Sequence, residues 1–212
     1  MKRSEYGNSA DKITVVILAA GRASRMGREK LLLMLGEIPV IRHVVQHVLD
    51  AEVHDIVVVV NPRNEYYIRQ VLEGLNVRVV SNPSYEQGLA SSIVAGVAEV
   101  RSDTEALLLL QGDQPFVSAE MLRHLVTEWC ENETDFVAAS YDDITTTPVL
   151  FGRALFREMA ALEGDVGARS VLKNHHGRLI PFPAWHGTDL DTEDDYRRVQ
   201  KLWRKRKKCS LT

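Results

Sequence analysis

The chain has 212 residues, 45% of them hydrophobic and 26% charged, which is enough for one α/β domain with a large core. A net charge of −3 argues against a general nucleic-acid-binding protein, because such proteins neutralise phosphates with an excess of lysine and arginine. The sequence contains no signal peptide and no apolar run long enough to span a bilayer, so we expect a cytoplasmic protein that binds neither nucleic acid nor membrane.

Strands and helices are predicted to alternate through the first half of the chain, after a polar lead at residues 1–12 that we expect to be disordered. Short apolar runs predict buried strands, and apolar residues at helical spacing predict the helices between them. The predicted strands are Ile13–Ala19, Asp55–Val60, Val77–Val80 and Ala106–Leu110, and the predicted helices are Pro39–Leu49, Glu65–Leu72, Leu89–Val100 and one that runs to Trp129 behind Ser118. Because each strand is apolar on both faces, helices should cover both sides of a parallel sheet.

The second half of the chain is less regular. It predicts a strand at Phe136–Ser140, a polar connection at Tyr141–Thr147, a short apolar segment at Pro148–Phe151, helices at Arg153–Leu162, Ala168–Asn174 and Thr192–Trp203, and a strand at Leu179–Pro183. The basic run at 204–208 predicts a solvated, frayed tail over 204–212. Cys130 and Cys209 have no metal-ligand spacing. Without an internal repeat or linker, residues 13–203 are expected to form a single domain.

The most informative stretch runs from Ile13 to Leu35. Its strand ends in Ala-Ala-Gly, which leaves no large side chain over the strand end, so a ligand can approach the backbone N–H groups there. Arg22, Arg25, Arg28 and Lys30 follow directly. A bare turn with cations behind it is typical of phosphate binding, although neither the Walker nor the dinucleotide glycine pattern is present.

This stretch resembles the signature of the MobA-like nucleotidyltransferase family, L-A-A-G-x-S-x-R-M-G-x-x-K. The matching residues are Leu18, Ala19, Ala20, Gly21, Ser24, Arg25, Met26, Gly27 and Lys30. The resemblance covers Ile13–Trp203 and implies a Rossmann-like three-layer α/β domain with a mostly parallel sheet, of the nucleotide-diphospho-sugar transferase type. It implies nucleotide binding by Leu18 to Gly21, a clamp by Arg25 on the β- and γ-phosphates, and Lys30 as the catalytic cation on the α-phosphate. Arg22 and Arg28 fall at variable positions and are expected to be solvated.

An aspartate follows the leucine-rich strand in Gly112-Asp113-Gln114-Pro115. A carboxylate held between glycine and proline at a sheet edge suits a Mg²⁺ ligand beside phosphate oxygens, although aspartate at a strand end is also a common turn former. The segment resembles the family's G-D-x-P motif. The resemblance implies that Asp113 holds Mg²⁺, with Mn²⁺ as the alternative, on the nucleotide phosphates.

A second metal ligand should come from a distant segment, because one aspartate leaves most of an octahedral Mg²⁺ uncovered. The acidic segment Asp189–Asp194 resembles the family's late D-[IL]-D-T-x-E-D element. In an extended segment, alternation puts Asp189 and Asp191 on the same side. We predict Asp191 as the ligand, with Asp189 as its support or as the alternative.

Two further segments resemble parts of the family that bind the substrates. Asn82, Gly88, Ser91 and Ser92 match a segment that reaches the base and ribose, although the residues alone are those of an ordinary loop and helix start. Pro148 begins a P-V-L-F element, and a G-D-x-G-A-R element supplies four residues. These are Gly164, Asp165, Gly167 and Arg169.

Both acceptor elements resemble those of molybdenum cofactor cytidylyltransferases and imply contacts with an anionic acceptor. The two glycines of the second element also fit a tight turn between helices. Members of this kind usually carry Gly-His before the proline, and here the residues are Thr146 and Thr147. A histidine that could contact the acceptor is therefore missing.

The reaction implied is nucleotidyl transfer, in which an acceptor phosphate attacks the α-phosphorus of a nucleotide triphosphate and pyrophosphate leaves. Ala20 indicates the cytidylyl members, because guanylyl members carry L-A-G-G. We therefore expect CTP and a molybdopterin-type cofactor as substrates, with a molybdenum hydroxylase as a further partner. The alternatives are the same transfer to a sugar phosphate or phosphoalcohol, a cofactor carrier without turnover, and an oxidoreductase, for which the dinucleotide fingerprint is lacking.

Overall fold

The computed structural model describes residues 9–21 and 28–209. Arg25, the predicted phosphate clamp, lies outside the described residues, as do Arg22, Ser24, Met26 and Gly27. The strands are β1 Ile13–Ala19, β2 Met34–Leu35, β3 Ile38–Pro39, β4 Asp55–Val60, β5 Arg78–Ser81, β6 Ala106–Gln111, β7 Phe136–Tyr141, β8 Ile144–Gly152 and β9 Gly177–Pro181. The α-helices are α1 Val40–Asp50, α2 Glu65–Val71, α3 Leu89–Ala98, α4 Ala119–Glu131, α5 Phe156–Ala160, α6 Arg169–Leu172 and α7 Glu193–Cys209.

A seven-stranded sheet forms the centre of the protein, in the order β5-β4-β1-β6-β8-β7-β9. The first four strands of that order pair in parallel, β8 is antiparallel to both of its neighbours, and β9 is parallel to β7. The predicted mostly parallel α/β architecture is confirmed. Parallel strands end at the same edge, so the loops after β1, β4, β5 and β6 meet there.

The strands are apolar throughout because helices cover both faces of the sheet. Val15 and Ile17 of β1 pack into one buried cluster with side chains of α1, α2 and α4, whereas Val16 and Leu18 pack into a second cluster with side chains of α3, α5 and α6. Each fully buried valine or leucine side chain stabilises the fold by about 1.5–3 kcal/mol, before the conformational entropy of ordering it is counted. Among the described residues, no helix is both long and apolar enough to cross a bilayer.

The polar connection predicted at Tyr141–Thr147 is wrong, because most of it belongs to β8. The chain reverses through Asp142 and Asp143, whose φ angles are +46° and +64°, and β8 begins at Ile144. Two successive residues with positive φ form the kind of turn that joins antiparallel strands, and aspartate tolerates this conformation better than most residues. A hairpin therefore forms without the glycine that usually marks it.

Both ends of the chain differ from the prediction. Within the expected disordered lead, Ser9–Lys12 form a 3₁₀ turn, and the Lys12 ammonium lies 2.5 Å from Glu105 Oε1. The expected frayed tail from residue 204 is wrong as far as Cys209, where α7 ends. The Arg206 guanidinium lies 4.1 Å from the ring centroid of Trp185, and this cation–π contact holds the end of the helix against the protein.

Candidate active site

A cavity of about 710 Å³ opens at the sheet edge where β1 and β6 end. Its lining includes many of the residues predicted to bind nucleotide or metal. These are Leu18, Ala19, Ala20, Gly21, Lys30, Gly88, Ser92, Asp113 and Asp191. Asn82 is buried and supports this wall indirectly, because its amide donates to the hydroxyls of Ser91 and Ser92 at 3.0 and 3.1 Å. Segments that are far apart in the chain thus converge on one crevice.

Three charged side chains meet in this cavity. Lys30 lies on a 3₁₀ turn that follows residues 20–29, the segment after β1 that we call the opening loop. Its ammonium is 2.5 Å from Asp113 Oδ2 and 2.8 Å from Asp191 Oδ1. Asp113 follows β6 and is nearly fully buried, whereas the Asp191 side chain is 48% exposed. Two carboxylates with one ammonium between them form a site that can order phosphates and a hard cation.

The electrostatics of this cluster follow from burial and from its opposed charges. Burial lowers the pKa of Lys30, but the negative charges of Asp113 and Asp191 outweigh it, so the pKa of the ammonium rises above its usual value. Burial raises the pKa of Asp113, and the Lys30 ammonium offsets part of this rise. Lys30 is therefore held as a cation and remains positively charged at neutral pH.

The two aspartates that alternation put on one side of an extended segment both line a second cavity, but they have different partners. Asp191 lines the cavity beside Lys30, whereas Asp189 Oδ1 accepts a hydrogen bond from Gln114 Nε2 at 2.7 Å. Burial, followed by the charge of Asp113, raises the pKa of Asp189 to about 6. In the described part of the chain, no three histidine, cysteine or acidic side chains converge into a group that could hold a metal ion. Asp113 and Asp191 nevertheless offer oxygen atoms of the type that Mg²⁺ and Mn²⁺ prefer.

Two buried asparagines hold the opening loop at both of its ends, and the sequence reasoning missed them. Asn61 donates to the carbonyl oxygens of Ala20 and Gly21 at 3.2 and 3.4 Å. Asn64 donates to the Ala19 carbonyl at 2.9 Å and to Glu29 Oε2 at 3.2 Å. Because these carbonyl groups accept hydrogen bonds from buried side chains, the backbone at the end of β1 is held in place where it lines the cavity. The sequence signal that could have found them is the Asn-Pro-Arg-Asn segment directly after the β4 strand.

The opening loop is also joined to α7. Arg28, which we expected to be solvated, pairs with Glu193 at 2.7 Å and lies 5.5 Å from the ring centroid of Tyr196. Arg28 also lines the cavity. Arg28 remains exposed, as expected, but nothing in the sequence indicated its partners, because Glu193 belongs to a helix 165 residues further along the chain.

Two loops meet across the cavity at Gly88. This residue has φ +110° and ψ 178°, a region that is essentially restricted to glycine. A Cβ atom placed there would lie 2.4 Å from the Gly164 carbonyl oxygen. The same oxygen accepts from Ala90 N at 3.2 Å, and Asp165 Oδ1 accepts from Leu89 N at 3.4 Å. The predicted acceptor loop therefore packs against the start of α3.

Gly88→Ala is expected to destabilise the protein and to weaken ligand binding in the cavity, because the added methyl group pushes the two loops apart. Gly74→Ala is the matched control, since Gly74 also has a positive φ of +81° but a Cβ there meets nothing within 4 Å. Positive φ alone should cost about 1–2 kcal/mol at Gly74. Thermal melts and titrations with nucleotide triphosphates should place Gly88→Ala below the control in both stability and affinity. Equal values for the two variants would contradict this account.

Most of the predicted acceptor residues do not line the cavity. Asp165 lines it, whereas the Arg169 guanidinium donates to the Thr145 carbonyl oxygen. Pro148 lies within β8, after a cis peptide bond that follows Thr147. The Thr147 side chain is buried, and its hydroxyl donates to Gln114 Oε1 at 2.9 Å.

The matches to known proteins agree with this geometry. Residues 15–179 match the family model described as the MobA-like NTP transferase domain. The chain belongs to the MobA-like NTP transferase family. It is therefore a nucleotidyltransferase, which confirms the family and the enzyme class that the opening loop predicted.

Two relatives of this MobA-like chain align over most of their own length. The chain is 26% identical to the molybdenum cofactor cytidylyltransferase of Escherichia coli, covering 87% of this chain and 93% of that protein. It is also 26% identical to the purine catabolism protein PucB of Bacillus subtilis, covering 88% and 95%. At 26% identity, therefore, the relatives of this chain have names that point to different functions.

Solved structures resemble the MobA-like chain over nearly the whole of its length. The crystal structure of Rv0371c from Mycobacterium tuberculosis H37Rv has a TM-score of 0.78 and 28% identity, covering 90% of this chain and 98% of that one. A complex of the same protein with manganese has a TM-score of 0.75 and 27% identity, with the same coverage. A homologous protein thus binds a divalent metal ion.

Proposed function

We propose that this MobA-like protein transfers a cytidylyl group from CTP to the phosphate of a molybdopterin-type cofactor. The observation that carries the proposal is the Lys30 ammonium between Asp113 and Asp191, in a cavity whose wall is the bare end of β1. The likeness to the Escherichia coli cytidylyltransferase supports this acceptor, and Ala20 in the opening loop supports CTP.

In the proposed reaction, an oxygen of the acceptor phosphate forms a bond to the α-phosphorus of CTP. The bond from that phosphorus to the bridging oxygen breaks, and pyrophosphate leaves with the electron pair. A phosphate is already ionised at pH 7, so the chemistry needs positioning and charge neutralisation more than a strong base. The proposed role of Lys30 is to stabilise the charge that builds on the α-phosphate, while the backbone after β1 and the predicted clamp Arg25 bind the other phosphates.

Asp113 and Asp191 are the residues that we propose to hold a divalent ion, Mg²⁺ or alternatively Mn²⁺. Two carboxylates fill only part of an octahedral shell, which suits an ion that also binds phosphate oxygens and water. When bound, such an ion neutralises charge on the phosphates and orients them. The manganese complex of Rv0371c supports a divalent ion in this fold.

A second candidate function is the same transfer to another phosphorylated acceptor, such as a sugar phosphate or phosphoalcohol. The side chain of Thr147 favours it, because this residue is buried and its hydroxyl is engaged by Gln114. An acceptor in this protein would then meet neither an imidazole nor a free hydroxyl at that position.

Thermal melts with CTP, GTP, ATP and UTP, each with and without Mg²⁺, test the choice of nucleotide. We expect Mg²⁺–CTP to give the largest shift, because a ligand at 100 times its Kd that binds only the folded state adds about 2.7 kcal/mol. A larger shift with GTP would overturn the choice of base. Pyrophosphate release with molybdopterin, compared with release with sugar phosphates, then separates the two acceptor classes.

A further inference from the structure

We infer that Thr147 and Gln114 are positioning residues that hold the carboxylate of Asp189 behind the candidate metal ligands. Thr147 Oγ1 donates to Gln114 Oε1 at 2.9 Å, and Gln114 Nε2 donates to Asp189 Oδ1 at 2.7 Å. Gln114 is 1% exposed and Thr147 is 9% exposed. At this burial neither side chain meets a ligand itself, so any effect they have on the site passes through Asp189, which lines a neighbouring cavity together with Asp191.

The donor and acceptor roles in these two hydrogen bonds follow from the groups at either end, Asp189 and Thr147. An ionised carboxylate only accepts hydrogen bonds, so the NH₂ end of the Gln114 amide must face Asp189. The amide oxygen then faces Thr147, whose hydroxyl satisfies it as donor. Without that hydroxyl the amide oxygen would be buried without its partner, and the amide would lose one of the two hydrogen bonds that fix its orientation toward Asp189.

An irregularity in β8 brings Thr147 to Gln114. The pairing of β7 with β8 shifts register between Ala138 and Ala139, which pair with Val149 and Thr146 respectively. Thr147 and Pro148 therefore lie in a bulge, and bulges redirect side chains. The pairing of β6 with β8 ends at Leu109 with Val149, so the bulge lies beside the chain that leaves β6 toward Gln114.

The position of Asp189 matters because it is a third carboxylate beside a pair that one ammonium already joins. The charges of Asp113 and Asp191 both act on Asp189, and Lys30 contacts only the first two. An Asp189 released from Gln114 could turn toward Lys30 or the metal and displace Asp191. Residues that orient metal ligands from behind typically change metal affinity or activity 10- to 100-fold when they are removed.

The test compares Thr147→Val, which removes only the hydroxyl at nearly constant shape, with Thr147→Ser, which keeps it. Titration calorimetry of CTP with and without Mg²⁺ gives two Kd values, and their ratio is the metal-dependent gain in affinity. This inference rests on the proposed function for the metal site, but the readout is binding rather than turnover. We expect Thr147→Val to lower the gain about 10-fold, and Thr147→Ser to keep the wild-type gain.

Gln114→Leu completes a double-mutant cycle. In that background Thr147→Val should have no further effect, because the amide through which Thr147 acts is gone. Additive effects, or a Thr147→Ser variant that behaves like Thr147→Val, would overturn the inference. If Gln114→Leu does not fold in a thermal melt, the valine and serine variants alone decide.

Pyrophosphate release by the wild-type protein separates this inference from the proposed function. In one case, the wild type releases pyrophosphate, but Thr147→Val keeps the wild-type metal-dependent gain in CTP affinity. That result rejects the positioning role and leaves the proposed function standing. In the opposite case, the wild type binds Mg²⁺–CTP and the Thr147 variants change the metal-dependent gain as expected, but no phosphorylated acceptor leads to pyrophosphate release. That result rejects the proposed function and leaves the positioning role standing.

Discussion

Lys30→Ala is expected to lower kcat for pyrophosphate release by about 10²-fold or more, as removal of a charge partner of the transition state does. Lys30 is the described cation that contacts both Asp113 and Asp191 inside the cavity. The change should affect kcat more than the KM for CTP, because the negative charge on the α-phosphate grows as pyrophosphate leaves. Steady-state kinetics at saturating CTP and acceptor measure this effect.

Lys201→Ala is the matched control for Lys30→Ala. Lys201 is an exposed lysine on α7, so its removal deletes the same charge without touching the cavity. Because Lys30→Ala also leaves the buried Asp113 without its ammonium partner, a thermal melt must accompany the kinetics. Normal turnover in a folded Lys30→Ala protein would show that the phosphate assignment is wrong.

Asp113→Asn is expected to remove most of the Mg²⁺-dependent gain in CTP affinity while the fold is kept. Asparagine has nearly the shape of aspartate and fits the same buried position, but it is neutral and is a much weaker ligand for a hard cation. Since outer-shell changes alone cost 10- to 100-fold, loss of a direct ligand should cost at least about 10-fold. Thermal shift with Mg²⁺–CTP and with CTP alone measures the gain.

Asp103→Asn is the control for the lost charge, because Asp103 is exposed in the loop before β6 and pairs with Arg101. This variant should keep the wild-type gain. An unchanged Mg²⁺–CTP stabilisation in Asp113→Asn would remove Asp113 from the proposed metal site. A loss of CTP binding without Mg²⁺ as well would indicate a damaged cavity rather than a lost ligand.

The first half of the fold was predicted well because its signals are local. The β1 run Ile13–Ala19 and the β4 run Asp55–Val60 match the predicted strands residue for residue, and α1 and α3 differ from prediction only near their ends. A continuous apolar run of six or seven residues between turn signals is typical of a buried parallel strand. The second half was predicted less well, because three threonines follow Ile144 at the start of β8 and the turn before it lacks glycine.

The candidate site also has features that the sequence predicts and features that it does not. The sequence alone determined the family, through the spacing of the opening motif, and it predicted the parallel sheet at whose edge the loops after β1, β5 and β6 meet. Those properties depend on short stretches of chain and on the common direction of parallel strands. Leu18 to Gly21, Lys30 and Asp113 could therefore be named before any coordinates.

Only the tertiary structure decided which partners these residues have. It brought Asp191 rather than Asp189 to Lys30, joined Thr147 to Gln114, and placed the amide of Asn64 between Ala19 and Glu29. Each of these contacts joins segments separated by many residues, and each depends on which side of a strand or turn a side chain leaves. Sequence spacing contains no such information, because the register of distant elements is set by the packing of the whole core.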